Sequence, residues 1–348
     1  MPRVVGIDPG TVSLDAVALD GGRPVLEVSL PTADATADPA AFAGLLRDLG
    51  PVHLCAAPSG YGLPLVHGPG LTEEQRRLLL LAPPGEPGGI GGLGALVRAL
   101  ELAGLPLVFL PGVIHLPTVP LHRKLNRVDM GTPDKLAAAA LGLAQALRDG
   151  CATPGEAHFI LLELGGAFSA AVAVEGGEVV DGMGGTSGPI GARAAGALDG
   201  EAALLASPVT KATLFRGGVD DLPPGLPDRE AVADEALVEG AVKAVLALGA
   251  SAPRARQVLV SGRLGRRDAL VDALRARLPR HEVARLEGFS SVVKEAAQGA
   301  ALLADGLAGG AAAPIVEALR LREARGTVLD HLLVVSRTQA RARLGLGG

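Results

Sequence analysis

Asp8 and Glu163 each close a short apolar run, residues 4–7 in one case and 159–162 in the other, and each is followed within three positions by glycine: Gly10 after Asp8, Gly165 and Gly166 after Glu163. A carboxylate is costly to bury without a partner, so its recurrence at the end of an apolar strand calls for a reason. Phosphate binding supplies one. A strand that ends in a tight glycine turn and re-enters as a second strand (15–19 after the first turn, 169–174 after the second) points backbone N–H groups into the turn, where an anionic phosphate fits. Two such turns facing each other across a cleft would grip a nucleotide's phosphate tail from both sides, with Asp8 and Glu163 placed to hold its magnesium through water. In the first turn the phosphate donors would be the amides of Gly10 and Thr11 and the hydroxyls of Thr11 and Ser13. In the second they would be Gly165, Gly166 and Ser169.

Three other stretches carry candidate chemistry. Residues 122–132 form the densest polar segment of the first half. There Asp129 is a candidate general base or substrate-orienting carboxylate, and Arg123, Lys124 and Arg127 are candidates to neutralise a transferring phosphoryl group. A solvated charge run is the alternative reading. The glycine cluster 182–188, with Thr186, Ser187 and the nearby Arg193, reads either as a loop closing over a substrate or as a flexible connection. Residues 260–265 end another apolar strand before a helix, so Gly262 and Arg263 would let a nucleobase or ribose approach the backbone. The candidate catalytic set is thus Asp129, Glu163 and Arg123. His53, His67, His115, His158, His281 and His331 show no ligand spacing and are assigned no metal.

The elements needed to position these residues follow from periodicity. Strands are expected at 4–8, 15–19, 23–30, 52–57 and 105–110, and helices at 40–49, 93–102 and 132–147. The second half repeats that grammar with strands at 159–164, 169–174, 178–180 and 257–261, and helices at 189–197, 228–248, 267–277 and 290–307. Within the last of these, Ala296, Ala297, Gly299, Ala300 and Ala301 make a small-residue face suited to tight packing. A loop-rich insertion is expected at 59–92. Near the end, 313–321 reads as a helix, 329–335 as a strand, and Arg337, Arg341 and Arg343 as a basic tail. A duplication on this scale predicts two related α/β lobes, 1–150 and 151–348, rather than a solenoid.

Composition narrows the partners. The 348 residues carry a net charge of -5, no Trp, one Tyr and six Phe, which argues against a nucleic-acid binder needing a basic groove and aromatic platforms. Two isolated cysteines, Cys55 and Cys151, suit neither a disulfide framework nor a metal site. Pro83, Pro84, Glu86 and Pro87 interrupt the richest apolar stretch, so a soluble cytoplasmic protein without a membrane span is expected.

With these residues in place, the chain resembles the actin-like ATPase superfamily of sugar kinases, acetate and butyrate kinases and heat-shock chaperones. The order of elements corresponds over nearly the whole length: first phosphate turn, connecting helix, second phosphate turn, adenosine turn, second connecting helix. Within the superfamily the chain is most similar to a largely archaeal family labelled predicted butyrate kinases, in Gly6-Ile7-Asp8-Pro9-Gly10-Thr11, in residues 126–135 and in Val260-Ser261-Gly262-Arg263. Leu164-Gly165-Gly166-x-x-Ser169, Gly177-x-Val179-x-Asp181 and Gly188-Pro189 are similar to butyrate kinase as well.

The resemblance implies two ribonuclease H-like lobes with an interlobe nucleotide cleft, ATP and Mg2+ as cofactors, and phosphate transfer to a small acceptor, for which a short-chain carboxylate is the leading candidate. It is compatible with a homodimer. The alternative is a nucleotide-switched ATPase that regulates or assembles a protein partner. Three departures make the site more acidic than in the acyl kinases. Asp8 stands where they have Asn, Glu163 where they have His, and Asp15 where their first loop commonly ends in Lys. Such a pocket disfavours a carboxylate unless arginines such as Arg123 or Arg193 compensate.

Overall fold

The computed structural model describes residues 1–68, 70–86 and 92–347. Two mixed sheets organise the chain. The first contains β1 (Arg3–Pro9), β2 (Ser13–Asp20), β3 (Arg23–Pro31), β4 (Leu54–Ala57), β5 (Val66–His67) and β6 (Leu107–Phe109), in the order β3-β2-β1-β4-β6-β5. The second contains β7 (His158–Leu164), β8 (Ser169–Glu175), β9 (Glu178–Met183), β10 (Gln257–Ser261) and β11 (Glu282–Arg285), in the order β11-β10-β7-β8-β9. Each sheet opens with three antiparallel strands joined by tight turns, and then adds two parallel strands beside its first strand. The repeated pattern read from the sequence is therefore a repeated topology.

Two connecting helices pack on one another between these sheets. The first, Pro133–Arg148, begins with proline, whose missing N–H costs nothing at that position, and carries Asp134 in its positive first turn. It lies on β7 and β8. The second, Glu295–Leu307, presents the expected small-residue face to β1, β2 and β4. Approach there is so close that a Cβ on Gly6 would stand 2.1 Å from the backbone N of Ala301, and one on Gly299 would stand 1.8 Å from the carbonyl O of Ala137. The first sheet's core is thus completed by a helix from the last quarter of the chain. On the other face of the second sheet, Ile160, Leu162 and Leu164 pack with the helices Arg229–Gly249 and Asp268–Arg277 in a second core.

Several local expectations are corrected. Residues 189–197 form no helix: the amides of Arg193 and Ala194 both donate to the carbonyl of Ala167, and Ala194 bridges Gly217, which holds this glycine-rich segment in an irregular, bent path. No strand forms at 329–335, where Asn126 Oδ1 accepts from the amides of Leu333 and Val334 and fixes a turn. The basic tail is instead a helix, Arg337–Arg343, started by a reciprocal Ser336–Gln339 cap and tied to Glu74 through Arg341. The helix expected from 290 starts at Glu295 because the Ser290 hydroxyl accepts from the amides of Val292 and Val293 in a separate turn. Within the insertion, β5 and the helix Glu73–Leu80 supply regular structure, while residues 69 and 87–91 of it lie outside the described residues.

Candidate active site

The two glycine turns wall a single cavity of about 460 Å³. From the first turn it is lined by Asp8, Gly10, Thr11 and Ser13, and from the second by Glu163, Gly165 and Gly166. The turns nearly touch: a Cβ on Gly166 would lie 3.3 Å from the Val12 side chain. Register explains the placement, since Asp8 and Asp15 are direct cross-strand partners and Glu163 pairs with Ser261 on the parallel β10. A neighbouring wall carries Gly262 and Arg263. Gly262 has φ +85°, and a Cβ there would meet the Leu164 carbonyl at 2.5 Å, so the turn after β10 requires glycine.

Each strand-end carboxylate takes its counter-charge from the opposite half of the chain. Lys294, the residue before the second connecting helix, lies 2.8 Å from Asp8 Oδ2 and 2.9 Å from Asp15 Oδ2, and donates to the Ser13 carbonyl at 2.8 Å. Lys135, in the first turn of the first connecting helix, lies 2.5 Å from Asp134 Oδ2 and 3.0 Å from Glu163 Oε1. Four carboxylates thus share two ammonium groups.

The imbalance appears in the acidities. Burial raises the Asp8 carboxyl above its ordinary value, although Lys294 pulls it down. Glu163 rises to about 7, through burial and then the nearby Asp134 charge, against the pull of Lys135. Asp134 goes the other way: burial alone would raise it, but Lys135 and the Thr132 hydroxyl hold it below the usual range. Lys135 and Lys294 are both held above the ordinary lysine value by their carboxylates despite burial. Hard oxygen donors with an excess of negative charge suit a hydrated magnesium ion. No cluster of three or more His, Cys, Asp or Glu side chains able to hold a metal occurs among the described residues.

Asp129 also lines the cavity, but its carboxylate is engaged: Oδ1 accepts from the Gly131 amide at 3.1 Å, and Oδ2 from both the amide and the hydroxyl of Thr186 at 3.1 Å. Ser187 donates to the Asp129 carbonyl at 2.5 Å. The glycine cluster 182–188 is thereby pinned to Asp129, an arrangement that suits orientation better than proton abstraction. Two candidates lie elsewhere. Arg123 donates to the Val180 carbonyl at 2.8 Å and is not part of the cavity wall. Ser169 pairs with Leu164, on the sheet face opposite Glu163, and its buried hydroxyl has no hydrogen-bond partner among the described residues. Ser13 is in place, with its hydroxyl donating to Asp15 at 2.7 Å.

The cations missing from the sequence reading are Lys135 and Lys294. Their signal was scarcity. The chain has only five lysines against a large excess of arginine, and two of them stand at the starts of the two connecting helices. A compact ammonium fits between carboxylates where a guanidinium fork does not. The cavity wall also carries apolar side chains, Leu79, Leu80, Leu93 and Leu110 with Tyr61, and Phe168 of the second turn packs edge-to-face on Phe215.

Paired sheets of one topology, bridged by two helices over a shared cleft, define the actin-like ATPase fold. Solved structures agree. A propionate kinase from Francisella tularensis subsp. tularensis SCHU S4 is similar with a TM-score of 0.60 and 12% identity, over 86% of this chain and 99% of that one. Acetate kinase from Entamoeba histolytica gives 0.55 and 11%, over 80% and 86%. Porphyromonas gingivalis acetate kinase gives 0.53 and 13%, also over 80% and 86%. At these identities the likeness is one of fold. The chain belongs to the family described as "Protein of unknown function (DUF1464)", whose model matches residues 6–334. No curated protein matches the sequence. Among the described residues, no helix is long and apolar enough to cross a membrane.

Proposed function

We propose that this protein is an ATP-dependent small-molecule kinase that transfers the γ-phosphate to a small acceptor; a short-chain carboxylate is the acceptor the resemblance supplies, but neither Arg123 nor Arg193 lines the cavity to offset its acidity. The observation that carries the reading is the common cavity behind both glycine turns, with a lysine-paired carboxylate at the foot of each. The amides of Gly10, Thr11, Gly165 and Gly166 hold the phosphates, and adenosine lies along Gly262 and Arg263. Asp8 and Glu163 hold magnesium through water, and that ion supplies charge neutralisation at the phosphate oxygens. Lys135 and Lys294 provide fixed positive charge in a site of low dielectric, the part the sequence reading gave to Arg123. Asp129 orients the 182–188 loop at the reacting end. The apolar side chains on the cavity wall suit the hydrocarbon part of a short acceptor.

The lobes are assigned as residues 1–150 and 151–348, with Glu295–Leu307 reaching back to cover the first sheet. Their closure on ATP would exclude water from the transferring group. Asp8→Ala should abolish the rise in melting temperature that magnesium-ATP gives the wild type, and an unchanged rise removes Asp8 from this role. A screen of metabolite pools for a phosphorylated product, with ATP converted stoichiometrically to ADP, identifies the acceptor. Slow ATP hydrolysis indifferent to every metabolite, together with a nucleotide-dependent protein complex, would instead establish a regulatory ATPase.

A further inference from the structure

The first turn contains a cation that does not belong to it. Asp8 and Asp15 face one another across β1 and β2, and like charges directly opposite on a sheet repel. Both are buried, at 5% and 1% exposure. Lys294 arrives from the far end of the chain to lie between them, with its third donor on the Ser13 carbonyl. It sits so deep in the turn that a Cβ on Gly10 would fall 2.1 Å from Nζ. Lys294 also lines the cavity, with its side chain 29% exposed. A purely structural bridge has no need of a place on the cavity wall.

We propose that Lys294 is an exchangeable phosphate ligand. Its ammonium keeps two donors on Asp15 and the Ser13 carbonyl, and moves the third from Asp8 to a phosphate oxygen when a divalent cation takes Asp8. Asp15 is then the positioning residue that anchors the ammonium in the turn, and the ligand class is a magnesium-bound nucleoside polyphosphate. The inference rests on the kinase reading for its nucleotide, but the competition between ammonium and divalent cation for Asp8 is independent of any acceptor or turnover.

Titration calorimetry with Mg2+ alone and with magnesium-ATP tests it on the full chain, comparing the wild type with Lys294→Met and with the double variant Lys294→Met/Asp15→Asn. The double variant removes one of the two buried carboxylates that the single change leaves unpaired and with it their mutual repulsion, so it is the variant expected to stay folded without the ammonium. Loss of one charge-assisted hydrogen bond predicts about a tenfold to hundredfold weaker magnesium-ATP affinity in both variants. Binding of Mg2+ alone should tighten in both, because Asp8 no longer has a competing cation.

Magnesium-ATP affinity within about twofold of the wild type, with Mg2+ binding unchanged, would overturn the proposal and leave Lys294 as a structural bridge. If the wild type does not bind magnesium-ATP at all, the kinase reading is what fails. Tighter Mg2+ binding by the variants would even then support the exchange, and unchanged Mg2+ binding would end it.

Discussion

Burial sets Glu163 up to titrate within the cleft. Its carboxyl rises from an ordinary 4.5 to about 7, so between those values the folded protein holds a proton that the unfolded chain has released. The stability this contributes is fully present below pH 4.5 and is lost as pH rises through about 7. Glu163→Gln removes that dependence. In denaturant titrations the variant should therefore gain on the wild type as pH is raised from about 5 to about 8, and a constant difference across the range would show that Glu163 does not titrate there. Asp8, Glu163 and the glycines beside them were legible in the sequence because a carboxylate closing an apolar run is a local anomaly. Their lysines were not: Asp8 and Lys294 are 286 residues apart, and no local pattern records which cation a buried carboxylate will find. Arg123 was the converse error, since a dense charge run shows cations without showing that Arg123 is spent on the Val180 carbonyl.

Among elements, those defined by their own period were readable and those defined by neighbours were not. The six strands of the two opening antiparallel triplets announce themselves by apolar runs broken at glycine turns, and the second connecting helix by its small residues. The segment 189–197 has helical composition in part, but its amides are claimed by Ala167 and Arg216. Close packing of the connecting helices makes a sharp prediction. Gly299→Ala forces a methyl into the Ala137 backbone and should cost about 1–3 kcal/mol in unfolding free energy, or more if the helices cannot separate. Gly200, in the first turn of the helix Gly200–Leu205, has nothing within 4 Å of its virtual Cβ, so Gly200→Ala should be neutral or stabilising. Equal losses at the two positions in chemical denaturation would mean that the crossing is looser than described.

At the scale of the molecule, the two turns act as one site only if one ligand quiets both. Hydrogen exchange measured with and without magnesium-ATP should slow at the amides of residues 10–13 and 165–166 together, because both line the same cavity. Protection of one turn alone would mean that the ligand leans on a single wall. The duplicated architecture was legible from the repeated order of strand, turn and strand. What the repeat concealed is that the halves are interleaved: each contributes the cation, and in one case the covering helix, that the other needs.

That interleaving bears on how the chain matures during synthesis. β1, β2 and β4 are complete early in translation, yet the helix that shields them, Glu295–Leu307, emerges only near the end. Until then that face of the sheet lacks its covering helix and the Asp8–Asp15 pair its counter-ion, so the nascent first half cannot be a finished module. A chain cut near residue 150 would leave each fragment short of a cation, and the first short of its covering helix, until the two are rejoined.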